Sequence, residues 1–166
     1  AKIARAKELG HSMVVLSGGE PTIRPELVRW AEHVCSLGMG FGLVTNGRPD
    51  IQARKVRALG LHRLVDAVVF AHAVGSGAGK PDAAPFLEGG GQLGVAAAAT
   101  VFVGDDPDCD IDAAHAVGMR TIWLPARVAP QGARPAERAD VIVASLADVP
   151  AAATRLLAPE WRAHVA

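Results

Sequence analysis

The stretch VFVGDDPDCDIDAAHAVGMRTIWL, residues 101–124, decides the fold of this chain. A short apolar run ends in a glycine, and five aspartates then fall within eight residues, from Asp105 to Asp112. Runs this short and apolar are typical of buried parallel strands, whose carboxyl ends form ligand sites. Clustered carboxylates repel one another unless a cation neutralises some of them. The stretch therefore predicts a buried strand that leads into a cation-binding loop.

The same alternation of apolar runs and helical stretches continues through the chain. Strands are predicted at residues 13–17, 41–45, 67–70, 100–103, 121–124 and 141–143, and helices at 26–37, 51–59, 83–93, 111–117 and 146–157. This order predicts one α/β domain over residues 1–166, a doubly wound parallel sheet with helices on both faces. Only one helix fits between Ser17 and Thr45, so no separate cap domain is expected. Residues 158–166 are expected to form a tail.

The composition excludes several classes of partner. The chain has 166 residues, of which 17 are acidic and 17 basic, so it has no basic excess for nucleic acid or an anionic membrane. No apolar run approaches the roughly 18 residues of a membrane span. Two cysteines are too few for a disulfide framework, and a cytoplasmic location is expected. The chain lacks an initiator Met, so a fragment is one expectation, and the sequence does not decide whether the N-terminus is truncated or fused. Composition makes no prediction of the oligomeric state.

Polar residues follow the predicted strands. After the second strand, the Thr45 hydroxyl and the backbone N–H groups of Thr45 and Asn46 are suited to hold an anion, although Asn-Gly is also a turn signal. Lys80, in GKPDAAPF, opposes the dipole at a helix start, which indicates a phosphoryl or carboxylate partner rather than solvent alone. Asp105 directly follows the fourth strand and is predicted to bind Mg²⁺. For Asp108 and Asp112, helix capping is the favoured role.

Together these motifs resemble the haloacid dehalogenase (HAD-like) superfamily of hydrolases, from about residue 25 to 157. The resemblance rests on GLVTNGRPDIQARKVRALGL, GKPDAAPF, residues 101–124 and the late ADVIVASLADVP. It implies Mg²⁺-dependent hydrolysis of a small phosphorylated substrate, in which a carboxylate attacks phosphorus and water hydrolyses the acyl-phosphate. The substrate itself is not specified. By this resemblance the catalytic residues are Thr45, Lys80 and Asp105, the phosphate-binding residues are Thr45, Asn46 and Lys80, and the metal ligands are Asp105, Asp106 and Asp110.

The family's nucleophile is missing from its expected place. In the family an aspartate ends the first strand in a DxDxT pattern, whereas this chain reads MVVLSGGEPT. Ser17 stands near the nucleophile's position, and Glu20 is the only nearby acid and the candidate substitute. A serine there cannot form an acyl-phosphate, so turnover is expected to be slow or absent.

A second resemblance covers residues 14–47. The segment LSGGEPTIRPELVRWAEHVCSLGMGFGLVTNG is similar to the middle of radical SAM enzymes, in which the GGEP turn helps to bind S-adenosylmethionine. That chemistry needs a CxxxCxxC loop for an iron–sulfur cluster, and neither Cys35 nor Cys109 belongs to one. Three interpretations follow: an impaired HAD-like phosphatase, a remnant that binds a phosphorylated ligand without turnover, or a truncated or fused radical SAM fragment.

Overall fold

The computed structural model describes residues 13–16, 26–126 and 134–158 of the chain. The strands in these ranges are β1 (Met13–Leu16), β2 (Gly40–Thr45), β3 (Ala67–Phe70), β4 (Thr100–Gly104), β5 (Arg120–Trp123) and β6 (Val141–Ile142). The α-helices there are α1 (Glu26–Ser36), α2 (Pro49–Ala58), α3 (Ala84–Leu93), α4 (Ala113–Ala116) and α5 (Val149–Leu157). None of the helices in the described part is long and apolar enough to cross a membrane.

The strands form one parallel sheet in the order β3-β2-β1-β4-β5-β6. β1 is central: Leu16 pairs with Leu43 of β2 on one side and with Val103 of β4 on the other. This order reverses between β1 and β4, and such a switch point is where α/β sheets bind ligands. The predicted doubly wound parallel sheet is confirmed.

Helices cover both faces of the sheet because side chains alternate along each strand. Leu43 and Val103 face one side, in a core cluster that includes residues of α1, α2 and α5. Val44 and Phe102 face the other side, where they join residues of α3 and α4. All five residues of β4 are buried. Each fully buried large apolar side chain contributes roughly 1.5–3 kcal/mol.

The helix after β4 differs from the prediction. Residues 107–112 form a π-helical turn, and the α-helix α4 begins only at Ala113. Near the C-terminus, residues 146–148 likewise form a 3₁₀ turn before α5. The wide turn after β4 carries three of the five clustered aspartates, Asp108, Asp110 and Asp112, and directly follows the other two, so its shape sets the geometry of the predicted site.

Candidate active site

The predicted site residues meet at the carboxyl edge of the sheet. Thr45 ends β2 and Asp105 follows β4. Each comes two residues after the residue that pairs with Leu16, so they lie on either side of the central strand. Lys80 approaches from the loop between β3 and α3 and contacts the turn after β4. The structure thus assembles this edge from elements that are distant in sequence.

Lys80 and Asp110 form a buried ion pair. The Lys80 Nζ donates to Asp110 Oδ1 at 2.5 Å, and the two side chains are 4% and 1% exposed. The Phe102 ring centroid lies 5.9 Å from the ammonium, so part of the surroundings is apolar. Burial of a charge pair is favourable only when its geometry and further hydrogen bonds are good. Lys80 was expected to bind a carboxylate or a phosphoryl group rather than solvent, and the structure shows that it binds the Asp110 carboxylate.

Asp110 also shapes the turn after β4. Its second oxygen, Oδ2, accepts hydrogen bonds from the backbone N–H groups of Asp105 and Asp106, at 3.2 and 3.3 Å. Both carboxylate oxygens are thus engaged by protein donors, and the role of Asp110 as a metal ligand stays a prediction. The described contacts give Asp110 a structural role that orients Lys80 and the loop.

Asp105 is different because, in the described part of the chain, its carboxylate accepts no hydrogen bond from another residue and interacts only with its own backbone N–H. Only its backbone is anchored: the Trp123 Nε1 donates to the Asp105 carbonyl at 3.0 Å. Burial raises the pKa of the Asp105 carboxyl above its ordinary value, and repulsion from Asp110 adds to this effect. A carboxylate held in this way would be stabilised in its charged form by a bound cation.

Asp106 caps the π-helical turn. Its Oδ1 accepts from the backbone N–H groups of Asp108 and Cys109, at 3.0 and 2.8 Å. The predicted capping roles of Asp108 and Asp112 are corrected, because both of these side chains instead bind Arg134. A metal ion bound at this oxygen of Asp106 would compete with the two N–H groups that the oxygen already accepts from. The role of Asp106 as a metal ligand stays a prediction.

The predicted three-carboxylate metal site is not assembled among residues 13–16, 26–126 and 134–158, where no group of three or more His, Cys, Asp or Glu side chains is arranged to hold a metal ion. Of the three predicted metal ligands, Asp105 is the one whose carboxylate accepts no hydrogen bond from another described residue. Mg²⁺ commonly takes only one or two protein carboxylates, with water and substrate phosphate completing its shell. Asp105 therefore fits such an ion, and its role as metal ligand stays a prediction.

Thr45 ends β2, and Asn46 follows it in a different environment. Thr45 is 4% exposed, and its hydroxyl donates to the Asn46 carbonyl at 3.2 Å. The Asn46 side chain turns toward the backbone of Lys80: its Nδ2 donates to the Lys80 carbonyl at 3.1 Å and its Oδ1 accepts from the Lys80 N–H at 2.9 Å. The Asn46 side chain thus holds the main chain of Lys80, and the predicted anion-binding role of the Thr45 and Asn46 backbone N–H groups stays a prediction.

Ser17 and Glu20, the residues at the nucleophile's expected place, lie outside the described residues. The role of Glu20 as a substitute acid therefore stays a prediction. Sequence reasoning missed two contributors that the structure reveals, Trp123 and Arg134. Arg134 lies in a Pro- and Arg-rich segment that gave no chemical signal, and the indole of Trp123 looked like an ordinary strand residue.

Residues 4–118 match the family profile described as "haloacid dehalogenase-like hydrolase". The chain belongs to this family. The match includes residues 14–47, the segment that was also predicted to resemble radical SAM enzymes. That second resemblance stays a prediction. The predicted HAD-like resemblance is confirmed.

Individual relatives of this HAD-like chain include both phosphatases and dehalogenases. It is 30% identical to a phosphoserine phosphatase from Thermus thermophilus over 145 residues, which covers 87% of this chain and 56% of the relative. It is 37% identical to a solved 2-haloacid dehalogenase from Pseudomonas syringae pv. tomato, with a TM-score of 0.60, covering 81% of this chain and 53% of that one.

A solved protein from Listeria monocytogenes serotype 4b shares the fold, with a TM-score of 0.72 at 22% identity, over 87% of this chain and 98% of that chain. By contrast, this HAD-like chain spans about half the length of the curated relatives it matches. The activities and substrates of those longer proteins therefore enter only as proposals.

Proposed function

We propose that residues 1–166 form one α/β domain with the phosphoryl-binding site of a Mg²⁺-dependent phosphatase, and that its turnover is slow or absent. The observation that carries this proposal is the half-buried Asp105 carboxylate, which accepts no hydrogen bond from another described residue and lies beside the buried Lys80–Asp110 pair. The similarity to a phosphoserine phosphatase supports a phosphate ester as the substrate class.

Charge balance supports the requirement for a cation. Asp105 and Asp110 are two carboxylates, and Lys80 supplies one ammonium among these three groups. A phosphate ester brings further negative charge, which would be repelled by this excess. A divalent ion on Asp105 would reverse the local balance and supply Lewis-acid stabilisation of the phosphoryl oxygens when bound.

The chain's own residues have separate roles in this proposal. Thr45 binds and orients the phosphoryl group at the end of β2, and the Lys80 ammonium offsets its charge. Asp110 holds Lys80 in place and fixes the turn that carries Asp105. These contributions bind and orient a phosphate ester but do not replace a nucleophile.

The nucleophile limits turnover. Glu20 is the only acid between residues 13 and 25, and its carboxylate would have to attack phosphorus to form an acyl-phosphate that water then hydrolyses. Without that attack the site binds the ester and leaves it intact. The proposal therefore predicts binding in every case and hydrolysis only if Glu20 reaches the substrate.

The first test measures phosphate release from a generic aryl phosphate with Mg²⁺. Asp105→Asn should lower the rate of any phosphate release by about 100-fold or more. It removes the carboxylate charge that would hold the cation beside the transferring phosphoryl group. Asp108→Asn is the matched control, since it makes the same change in the same turn on a residue paired with Arg134. Measurable phosphate release that is equal in the wild type and in Asp105→Asn, or halide release from a 2-haloacid instead of phosphate release, would overturn the proposal.

A binding protein without turnover is the second candidate, and the lack of a first-strand aspartate favours it. Inorganic phosphate with Mg²⁺ should then raise the melting temperature while no aryl phosphate is cleaved. Asp105→Asn should reduce this shift, whereas Asp108→Asn should retain it. The radical SAM interpretation makes a separate prediction, a CxxxCxxC motif encoded upstream of Ala1.

A further inference from the structure

Asn46 is joined to Lys80 by two hydrogen bonds. The amide Nδ2 donates to the Lys80 carbonyl at 3.1 Å, and the Lys80 N–H donates to Oδ1 at 2.9 Å. Both polar ends of one side chain thus engage both polar groups of one residue's main chain. The contact crosses 34 positions of sequence and links the end of β2 to the loop between β3 and α3.

Asn46 is itself held in place. Gln52, on α2, donates from its Nε2 to the Asn46 carbonyl at 3.1 Å. Gly47 leaves room for this contact, because a β-carbon there would lie 2.9 Å from the same Nε2. The Gln52 amide therefore occupies space that any side chain at Gly47 would take. Its hydrogen bond to the Asn46 carbonyl holds the backbone at Asn46 in place.

Lys80 needs such an anchor because its loop is not part of a helix or strand. The loop contains Gly75, Gly77 and Gly79, each with a positive φ, so its backbone is weakly specified by residue preference. Yet the ammonium at its end meets Asp110 in a buried pair, where small displacements are unfavourable. The loop has hydrogen bonds of its own, such as Ser76 Oγ to Asp82 Oδ2, and the two-point contact with Asn46 adds an anchor at the main chain of Lys80 itself.

We infer that Asn46 is a positioning residue that fixes the Lys80 ammonium through the lysine's main chain. Its side chain acts on the site through Lys80 rather than by touching the phosphoryl group. The consequence for ligand binding rests on the proposed function, whereas the consequence for the position of Lys80 does not.

Chemical labelling of lysines tests the position of Lys80 directly. Under limiting acetic anhydride, the wild-type Lys80 should react at least tenfold more slowly than Lys55, the internal reference on α2, as measured by peptide mass spectrometry. Asn46→Ala should raise the ratio of Lys80 to Lys55 labelling several-fold. Asn46→Asp, which keeps the acceptor for the Lys80 N–H and loses the donor, should give an intermediate ratio and remains informative if the alanine variant does not fold.

Val149→Ala is the control for general loosening, because Val149 is fully buried in α5, away from this loop. It should lower the melting temperature without a selective rise at Lys80. An unchanged Lys80 ratio in folded Asn46→Ala or Asn46→Asp, or an equal rise in Val149→Ala, would overturn the inference.

Phosphate affinity separates this inference from the proposed function. With inorganic phosphate and Mg²⁺, Asn46→Ala should weaken binding about tenfold in the wild-type background and have no further effect in a Lys80→Met background. A tenfold loss that persists without Lys80 would overturn the indirect role. If the wild type binds no phosphate while Lys80 labelling still rises in Asn46→Ala, the proposed function fails and the positioning role stands.

Discussion

Gly104 and Asp110 fit against each other at the end of β4. A β-carbon on Gly104 would lie 2.5 Å from Asp110 Oδ2 and 2.6 Å from its Cγ, closer than real β-carbon contacts. The space that a side chain at Gly104 would fill is therefore occupied by the carboxylate that binds Lys80 and the N–H groups of Asp105 and Asp106. Glycine at this position allows the loop to close on Asp110.

Gly104→Ala should lower the free energy of unfolding by about 1–3 kcal/mol, because the added methyl group overpacks a buried site. Urea denaturation followed by circular dichroism measures this change. Lys80 should also become more reactive to acetic anhydride, since its partner is displaced.

Gly91→Ala is the matched control, because a β-carbon at this exposed position in α3 meets nothing within 4 Å. It should be neutral or stabilising, by up to about 1 kcal/mol, since alanine favours helix more than glycine does. A Gly104→Ala variant as stable as Gly91→Ala would show that Asp110 can move at no cost.

The Lys80–Asp110 pair should be strongly coupled. Lys80→Met alone should lower the free energy of unfolding by about 3–5 kcal/mol, because it leaves a buried carboxylate without its cation. The Lys80→Met/Asp110→Asn double variant should lose less than the sum of the single variants, by roughly 0.5–3 kcal/mol. Denaturation of all four proteins measures the coupling, and strictly additive losses would mean that the two charges do not depend on each other.

Asp105→Asn should stabilise the fold at neutral pH in Mg²⁺-free buffer. Because burial and Asp110 raise the pKa of the Asp105 carboxyl, the folded chain binds its proton more tightly than the unfolded chain does. The Asp105 carboxyl makes its full contribution to the free energy of unfolding below the unfolded-state pKa of about 3.9. This contribution is lost as the pH rises through the higher pKa of the folded state. The melting temperature of Asp105→Asn should therefore exceed that of the wild type near pH 7, and the difference should shrink toward pH 4.

Asp108→Asn is the control for this pH series, because it removes a carboxylate that is paired with Arg134 rather than repelled by Asp110. It should show no gain at neutral pH. Added Mg²⁺ should narrow the difference between the wild type and Asp105→Asn if the ion binds to Asp105. A gain in Asp105→Asn that is constant from pH 4 to 7 would contradict the assigned cause.

Arg134→Gln should have a small effect that depends on salt. The guanidinium bridges Asp108 and Asp112, but the Arg134 side chain is 42% exposed, and exposed pairs are weak and screened. The melting temperature should fall by at most a few degrees at low ionic strength and by nothing measurable at about 1 M salt. A loss that is independent of salt would indicate that Arg134 acts by packing instead.

The sheet could be predicted from sequence because its strands are short, buried, apolar runs. All six predicted strands match the observed ones to within one residue at each end. The start of α4 could not be predicted, because the π-helical turn depends on hydrogen bonds that Asp106 and Asp110 make only in the folded loop.

Sequence patterns predicted which residues form the site better than they predicted which residues each of them contacts. Lys80 was found because a lysine at a helix start opposes the helix dipole, and Asp105 because clustered carboxylates at a strand end repel one another. The Asn46–Lys80 and Lys80–Asp110 contacts join residues 34 and 30 positions apart, so packing rather than local pattern decides them. Arg134 was missed because an exposed arginine in a polar segment has the same local pattern whether or not it is paired.

The central position of β1 also constrains how the chain is made. β1 leaves the ribosome before every other strand described here, yet one of its two edges pairs with β4, which begins at Thr100. The β2–β3 and β4–β6 parts of the sheet share no ladder with each other and are joined through β1. Until β4 has been synthesised, the hydrogen-bonding groups along that edge of β1 have no strand to pair with, and such open edges attract other chains. We therefore expect a nascent chain of this protein to be prone to aggregation in the interval before β4 emerges.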